Sequence, residues 1–178
     1  MKLNTFSGVA LFFSLISCSN SDPSMESLRI SNQQVTDRYF NEIYGEDRLD
    51  LIDSLFTENY SHIGTEGQLI EQAAPRLKEA ITFLKTTFPN LKPEITAVVP
   101  DTNKVMYLIT FHADLPEMAS PNTKAEDISF TETFVFWVRD GKIRKGQTAG
   151  AHLPLIKQVS GFEGSVFDII EILTSHNK

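Results

Sequence analysis

A glutamate set among aromatic residues is the clearest candidate for proton-transfer chemistry in this chain. Residues 129–138 alternate as a β-strand does, and Glu132 shares one side of that strand with three phenylalanines. A carboxyl group among aromatic rings would be desolvated, which would raise its pKa toward the range of a general base. If this side points outward, Glu132 is instead a solvated carboxylate or part of a dimer interface, because the other side is a plausible inner face too. The two sides are Phe130, Glu132, Phe134 and Phe136, and Thr131, Thr133, Val135 and Trp137.

Four histidines, at positions 62, 112, 152 and 176, could also carry protons. None of them stands at a local ligand spacing such as His-x3-His, so we expect no metal site. The sequence also has no Gly-x-Ser-x-Gly elbow, phosphate-binding glycine loop or dinucleotide fingerprint. The expected chemistry is therefore cofactor-free.

The single cysteine, Cys18, lies where a secretory signal would be cut. A positively charged start is followed by an apolar run over 9–16 that is too short to span a bilayer as a helix. Leu15-Ile16-Ser17-Cys18 resembles a bacterial lipobox, whose cysteine is acylated and becomes the new N-terminus. The alternative is an ordinary secretory signal in which Cys18 is incidental. We expect a signal peptide over 1–17 and an envelope protein anchored through Cys18, and Ser19 favours the outer membrane by resemblance to Gram-negative lipoproteins.

The composition limits the partners. The chain has 178 residues and a formal net charge of −7, which suits one domain and argues against nucleic acid and anionic lipid. Once Cys18 is lipidated, no thiol remains for a disulfide. Thirteen Phe, four Tyr and one Trp suit a solid core and an apolar ligand pocket equally.

The elements that must position these residues are helices first and strands second, an α+β order. We expect a flexible tether over 18–30 and a domain over 31–159, with an amphipathic helical extension over 160–178 that docks against the sheet or across the domain mouth. Asp140-Gly141 is a strong two-residue hairpin signal between the last two strands. The predicted helices are 31–45, 47–56 and 75–88, and the predicted strands are 94–99, 105–112, 129–138 and 142–149.

The order of elements and the amino-acid sequences of three segments resemble the SnoaL-like polyketide cyclase or ester cyclase family of the nuclear transport factor 2-like superfamily. The first segment is Tyr39-Phe40-Asn41-Glu42-Ile43-Tyr44 with 49–62, and the second is 84–91. The third is Phe134-Val135-Phe136-Trp137-Val138-Arg139-Asp140-Gly141-Lys142-Ile143, followed by 155–159. The resemblance implies a cone in which a curved antiparallel sheet wraps helices and leaves a pocket at its open end.

The resemblance also implies where a site would lie. In such cyclases an aspartate shortly after the last strand is the general base, and it aligns here with Ala151, which cannot take a proton. A slip of one or two residues would bring His152 into that region. His62 matches a family histidine near the pocket rim, where it would shuttle protons or cap a turn at Gly64. The predicted catalytic residues are His62 and Glu132, and the predicted ligand contacts are Tyr39, Phe134, Trp137, Gln147 and His152.

Three functions follow as alternatives. The first is a cofactor-free cyclase or isomerase in which His62 or Glu132 takes a proton next to a carbonyl while Gln147 steadies the enolate. The second is a lipoprotein that binds a small apolar or carbonyl-containing molecule without reacting. The third is a homodimeric interaction protein that uses the exposed sheet.

Overall fold

The structure is a computed structural model that describes residues 23–123, 125–150 and 152–175. Within these residues the fold is α+β, as expected, and the predicted positions 18 and 151 lie outside them. The helical segments are α1 Pro23–Arg38, a π-helical segment Tyr39–Tyr44, a 3-10 turn Leu49–Leu51, α2 Ile52–Leu55, α3 Ala74–Thr87, α4 His152–Ser160 and α5 Val166–Ser175. The strands are β1 Phe56–Ile63, β2 Leu69–Ile70, β3 Lys92–Pro100, β4 Lys104–Asp114, β5 Asp127–Arg139 and β6 Lys142–Gly150.

The six strands form one sheet in the order β2-β1-β6-β5-β4-β3. Neighbours are antiparallel, as expected, except β1 and β6, which run parallel and make the sheet mixed. The parallel pair involves β1, a strand that the sequence patterns did not predict. Both β1 and β2 lie between the second and third predicted helices. The four predicted strands and the β5–β6 hairpin are present, with Asp140 and Gly141 at φ values of 52° and 70°, typical of a type I′ turn.

The core lies between the helical layer and the inner face of the sheet. On β5 the inner side carries Phe130, Phe134 and Phe136, all buried, so the side that includes Glu132 faces inward. The π-helical segment adds one residue to a helical turn, which brings Tyr39, Phe40, Ile43 and Tyr44 together into the core. Tyr107 of β4 fixes α1 to the sheet, because its hydroxyl lies 2.6 Å from Thr36 Oγ1 and donates to Asp37 Oδ1 at 2.7 Å.

The two ends of the described chain differ from expectation. Residues 23–30 belong to α1, so the described part of the predicted tether is helical. The helix α4 covers a segment to which the sequence reading assigned no element. The predicted C-terminal amphipathic helix is present as α5, but it has no buried residue, and Phe167 remains 77% exposed. The expected docking of α5 against the sheet or across the domain mouth stays a prediction.

Candidate functional site

An aromatic cavity of about 460 Å³ opens between the inner face of the sheet, α3 and α4. The strands β5 and β6 supply the floor of its wall, with His62 of β1 and Phe111 of β4 beside them. The π-helical segment supplies tyrosines, and α3 and α4 supply aliphatic side chains. The polar groups on this wall are few, which is typical of small-molecule sites. The lining residues are Tyr39, Tyr44, His62, Gly64, Thr65, Gln68, Leu77, Ala80, Leu84, Leu91, Phe111, Phe130, Glu132, Phe134, Thr148, His152, Leu155 and Ile156.

The His62 imidazole is held between two hydroxyl groups. Its Nδ1 lies 2.9 Å from Tyr60 Oη, and its Nε2 lies 3.2 Å from Thr148 Oγ1. Burial lowers the pKa of His62 below its ordinary value of 6.5, so the ring is neutral at pH 7. Burial also raises the pKa of Tyr60, which keeps that hydroxyl protonated. The three side chains form a fixed, uncharged hydrogen-bonded group whose Thr148 end reaches the cavity wall.

Gly146 makes this arrangement possible. It lies opposite His62 in the parallel β1–β6 pairing, and a Cβ atom at this position would lie 2.8 Å from His62 Nδ1 and overlap the Tyr60 hydroxyl. Any larger residue would therefore displace the two rings. A glycine inside a strand often marks such a close approach.

Glu132 presents its carboxyl group to the cavity, with 17% of its side chain exposed. Burial raises the pKa of this carboxyl, and the effect is partly offset by His152, whose Nε2 lies 3.7 Å from Glu132 Oε1. Gly150 is paired with Glu132 across the β5–β6 ladder, and a Cβ there would lie 3.0 Å from Glu132 Cγ. A desolvated carboxyl with a raised pKa is the form that a general base takes in enzymes.

Two tyrosines of the π-helical segment complete the polar wall. Tyr39 and Tyr44 are buried, their rings meet edge to face with centroids 5.4 Å apart, and both line the cavity. Burial raises the pKa of both, and the proximity of the Glu132 charge raises them further. Both groups therefore remain protonated beside the carboxyl, where a phenol can donate to a developing oxyanion.

Five of the predicted site residues share the cavity wall: Tyr39, His62, Glu132, Phe134 and His152. Two others are outside its lining, because strand parity places them on the opposite face. Gln147 pairs with Val135, and Trp137 pairs with Lys145, whose Nζ lies 4.8 Å from the Trp137 ring centroid. The predicted ligand contacts of Gln147 and Trp137 in this cavity are therefore wrong.

Sequence reasoning missed Tyr44, Tyr60 and Thr148. The glycine at 146 and the alternation of β6 were the available signals for Tyr60 and Thr148, since Thr148 is one residue beyond Gln147 and so on the inner face. The position of Tyr44 follows from the π turn, which no periodic pattern indicates. His112 is an exposed outer-face residue whose Nε2 lies 3.0 Å from Glu94 Oε2.

Among the described residues, no group of three or more His, Cys, Asp or Glu side chains is placed to hold a metal ion. No helix in the same ranges combines the length and hydropathy needed to cross a bilayer. Ala151, with which the family's aspartate was aligned, lies outside the described residues.

Comparison with known proteins identifies the family to which this chain belongs. A sequence profile of the SnoaL-like domain matches residues 36–146. A protein from Jannaschia sp. CCS1 named as a SnoaL-like polyketide cyclase superposes with a TM-score of 0.65 at 15% identity, covering 76% of this chain and 95% of its own. TsrD from Streptomyces laurentii gives 0.61 at 19% identity, covering 75% and 98%. A SnoaL-like polyketide cyclase from Agrobacterium tumefaciens gives 0.56 at 14% identity, covering 71% and 95%. No curated protein sequence matches significantly.

Proposed function

The chain belongs to the SnoaL-like family, and from this premise we propose that it catalyses cofactor-free proton transfer on a small carbonyl compound held in the aromatic cavity. The observation that carries the proposal is a carboxyl with a raised pKa, Glu132, set beside the protonated hydroxyls of Tyr39 and Tyr44 on one apolar wall. A base and donors of this kind fit the removal of a proton from the carbon next to a carbonyl.

The proposed step begins with ionised Glu132. Its carboxylate takes the proton, the C–H bond electrons form the enolate, and the negative charge develops on the carbonyl oxygen. A tyrosine hydroxyl, or the Thr148 hydroxyl backed by neutral His62, donates a hydrogen bond to that oxygen. Glu132 then returns the proton at another carbon, which is an isomerisation. In a cyclisation the enolate carbon instead attacks a second carbonyl carbon of the same molecule, the C=O π electrons move to that carbonyl's oxygen, and the oxygen takes the proton from Glu132.

The roles of the two titratable residues differ from the roles weighed from the sequence. His62 has a hydroxyl on each ring nitrogen, so we assign it to positioning and to proton relay through Thr148. Glu132 has free access to the cavity and is the proposed base. Gln147 is not assigned as the donor that stabilises the enolate, because its side chain is on the other face of β6.

We also propose that the protein works in the cell envelope, anchored through an acylated Cys18. The support is the lipobox-like Leu15-Ile16-Ser17-Cys18 after the apolar run over 9–16. Several acyl chains on one cysteine would give stable anchoring. Intact-mass measurement of protein extracted from its host membranes tests this, and an unmodified Cys18 thiol in that protein would contradict it.

The test of the chemistry is deuterium exchange at the carbon next to the carbonyl of phenylacetone, followed by NMR in D2O. This readout detects proton abstraction without knowledge of the natural substrate. We expect the wild-type protein to accelerate exchange and Glu132→Gln to lose about 10²- to 10⁴-fold of that acceleration, the usual contribution of a general base. Because the pKa of Glu132 lies above the ordinary 4.5, the rate should fall, as the solution is acidified, at a pH higher than 4.5.

Glu94→Gln is the matched control, because Glu94 is also paired with a histidine but is exposed on the outer face. Exchange that is unchanged in folded Glu132→Gln would contradict the assignment of the base. If the wild-type protein binds phenylacetone and leaves its exchange at the buffer rate, the binding module without catalysis replaces this proposal. The homodimer alternative relies on the outer sheet face, where Val99, Met106 and Leu108 are exposed, and it remains a prediction.

A further inference from the structure

A second groove, of about 400 Å³, lies at the β5–β6 hairpin on the side of the sheet opposite the cavity. It holds four of the 16 basic side chains of a chain whose net charge is −7. The other lining residues are short and polar, apart from one aspartate in the turn. The lining residues, which we call the basic groove, are Thr57, Asn59, Ser61, Arg139, Asp140, Lys142, Arg144 and Lys145.

Among the residues that the structure describes, most of this positive charge is not paired with an acidic side chain. Arg139 Nε lies 3.5 Å from Asp140 Oδ2, and both side chains are largely exposed. Within the described residues Lys142, Arg144 and Lys145 form no salt bridge with an acidic side chain. At physiological ionic strength charges are screened over about 8 Å, so an anion at the groove is attracted by these cations and little affected by acids elsewhere. The basic groove is therefore a local exception to the acidic surface.

The groove lies at the end of the molecule where the chain leaves for its proposed membrane anchor. A neighbouring depression joins Arg139 and Arg144 of the hairpin to Leu28, Ser31 and Asn32 of α1. From Leu28 back to Pro23 the helix rises about 8 Å, and the five residue steps from Pro23 to Cys18 span at most about 17 Å. Cys18 thus lies within about 25 Å of Leu28, which shares the neighbouring depression with Arg139 and Arg144 of the basic groove.

We propose that the basic groove binds the phosphate groups of anionic phospholipids in the membrane that holds Cys18, which orients the domain on that surface. This inference rests on the membrane attachment proposed above and is independent of the chemistry in the cavity. Basic residues near an anionic membrane contribute additively to attraction. The Lys145 ammonium group lies over the Trp137 ring. Tryptophan is enriched at the membrane–water interface, which favours lipid headgroups over free phosphate as the ligand.

Trp137 is the only tryptophan in the chain, so its fluorescence reports on this end of the molecule alone. Full-length protein extracted from its host membranes is reconstituted in vesicles that carry a headgroup nitroxide quencher. We expect Trp137 emission to be quenched in vesicles of phosphatidylcholine with phosphatidylglycerol and much less in phosphatidylcholine alone. The double variant Lys142→Gln/Arg144→Gln should weaken the docking equilibrium about 30-fold, the loss expected for two charges.

Arg76→Gln/Lys92→Gln is the control, because it removes the same charge from exposed sites on α3 and at the far end of β3. Retention of the protein on phosphatidylcholine vesicles measures the attachment through Cys18 alone. A failure of that attachment is therefore distinguished from a failure of the basic groove to dock. Quenching that is equal in the two lipid mixtures, or equally reduced in both double variants, overturns the proposal. Loss of quenching with inorganic phosphate, but not with sodium chloride of matched ionic strength, would make the groove a site for free phosphate and would also overturn it.

Discussion

At the scale of single residues, the candidate site depends on small side chains as much as on reactive ones. Tyr60 and His62 are both on β1, and their rings need space that the facing strand provides only at Gly146. Glu132 has the same relation to Gly150 on the same strand. The glycines of β6 therefore determine which polar side chains can lie on the inner face.

Gly146→Ala tests this dependence. The added methyl group would overlap Tyr60 Oη and crowd His62 Nδ1, so we expect the variant to lose about 1–3 kcal/mol of unfolding free energy, as overpacked cores do. Phenylacetone exchange should fall as well, because Thr148 would lose its His62 partner. Urea denaturation and the exchange assay measure the two effects.

The control for this variant is Ala149→Val, which enlarges an exposed residue of the same strand. It should leave both measurements close to the wild-type values. A Gly146→Ala protein as stable and as active as Ala149→Val would show that the Tyr60–His62 pair is not constrained as described.

At the scale of elements, α4 forms a side of the cavity that has few buried contacts with the rest of the domain. His152, Leu155 and Ile156 line the wall, yet α4 has no fully buried residue. Leu155 and Val159 pack against the edge of the core. The hydrogen bonds that attach α4 to β5 come from Gln158, whose Oε1 accepts from the Ser129 backbone N–H and whose Nε2 donates to the Ser129 carbonyl, both at 2.8 Å. The Thr123 hydroxyl donates to the Gln158 carbonyl at the same place. A helix held by a few hydrogen bonds can open without unfolding of the domain.

Gln158→Ala should therefore free α4 from β5. Loss of two hydrogen bonds at about 1 kcal/mol each predicts amide hydrogen exchange about 30-fold faster in α4, with β4 and β5 unchanged. Mass-spectrometric hydrogen exchange, resolved by peptide, measures this. Lys157→Ala, at the neighbouring position, should leave α4 exchange as in the wild type, and equal rates in the two variants would contradict the assigned role of Gln158.

At the scale of the whole molecule, the sheet separates two sites of opposite character. Its inner face holds the apolar cavity with Glu132, and its other side holds the basic groove near the proposed anchor. If both proposals hold, this division would let a ligand enter the cavity while the hairpin end contacts a membrane. It predicts that changes in one site leave the other unaffected.

Ala80→Phe tests the cavity as a binding volume. Ala80 lines the wall from α3, so a phenyl ring there would occupy space that a ligand needs. Ligand at about 100 times its dissociation constant stabilises a protein by about 2.7 kcal/mol, so phenylacetone should raise the melting temperature of the wild type and not of the variant. Differential scanning calorimetry measures the shift.

Glu79→Phe introduces the same ring one position earlier on α3, outside the cavity lining. It should retain the wild-type thermal shift. A shift that persists in Ala80→Phe would place ligand binding elsewhere on the molecule. Docking to anionic vesicles should be the same in both variants, since neither changes the basic groove.

Much of the fold was readable from the sequence because it depends on local patterns. Apolar alternation and turn residues located β3 to β6, and Asp140-Gly141 located the hairpin, since a type I′ turn needs residues that tolerate positive φ. Pro75 marked the start of α3. The strand β1 was missed because polar residues occupy most of its positions, so that it lacks a clear apolar alternation.

The sequence by itself determined the reactive residue types, the α+β order and the resemblance to the SnoaL-like family, because these depend on identity and spacing along the chain. Only the tertiary structure decided which side of β5 faces inward, since a two-residue period is the same for both sides. Only the structure, likewise, brought Tyr60 and Thr148 to His62 and separated Gln147 from the cavity. These contacts join strands far apart in sequence, and their geometry follows from the parallel β1–β6 pairing, which no local signal specifies.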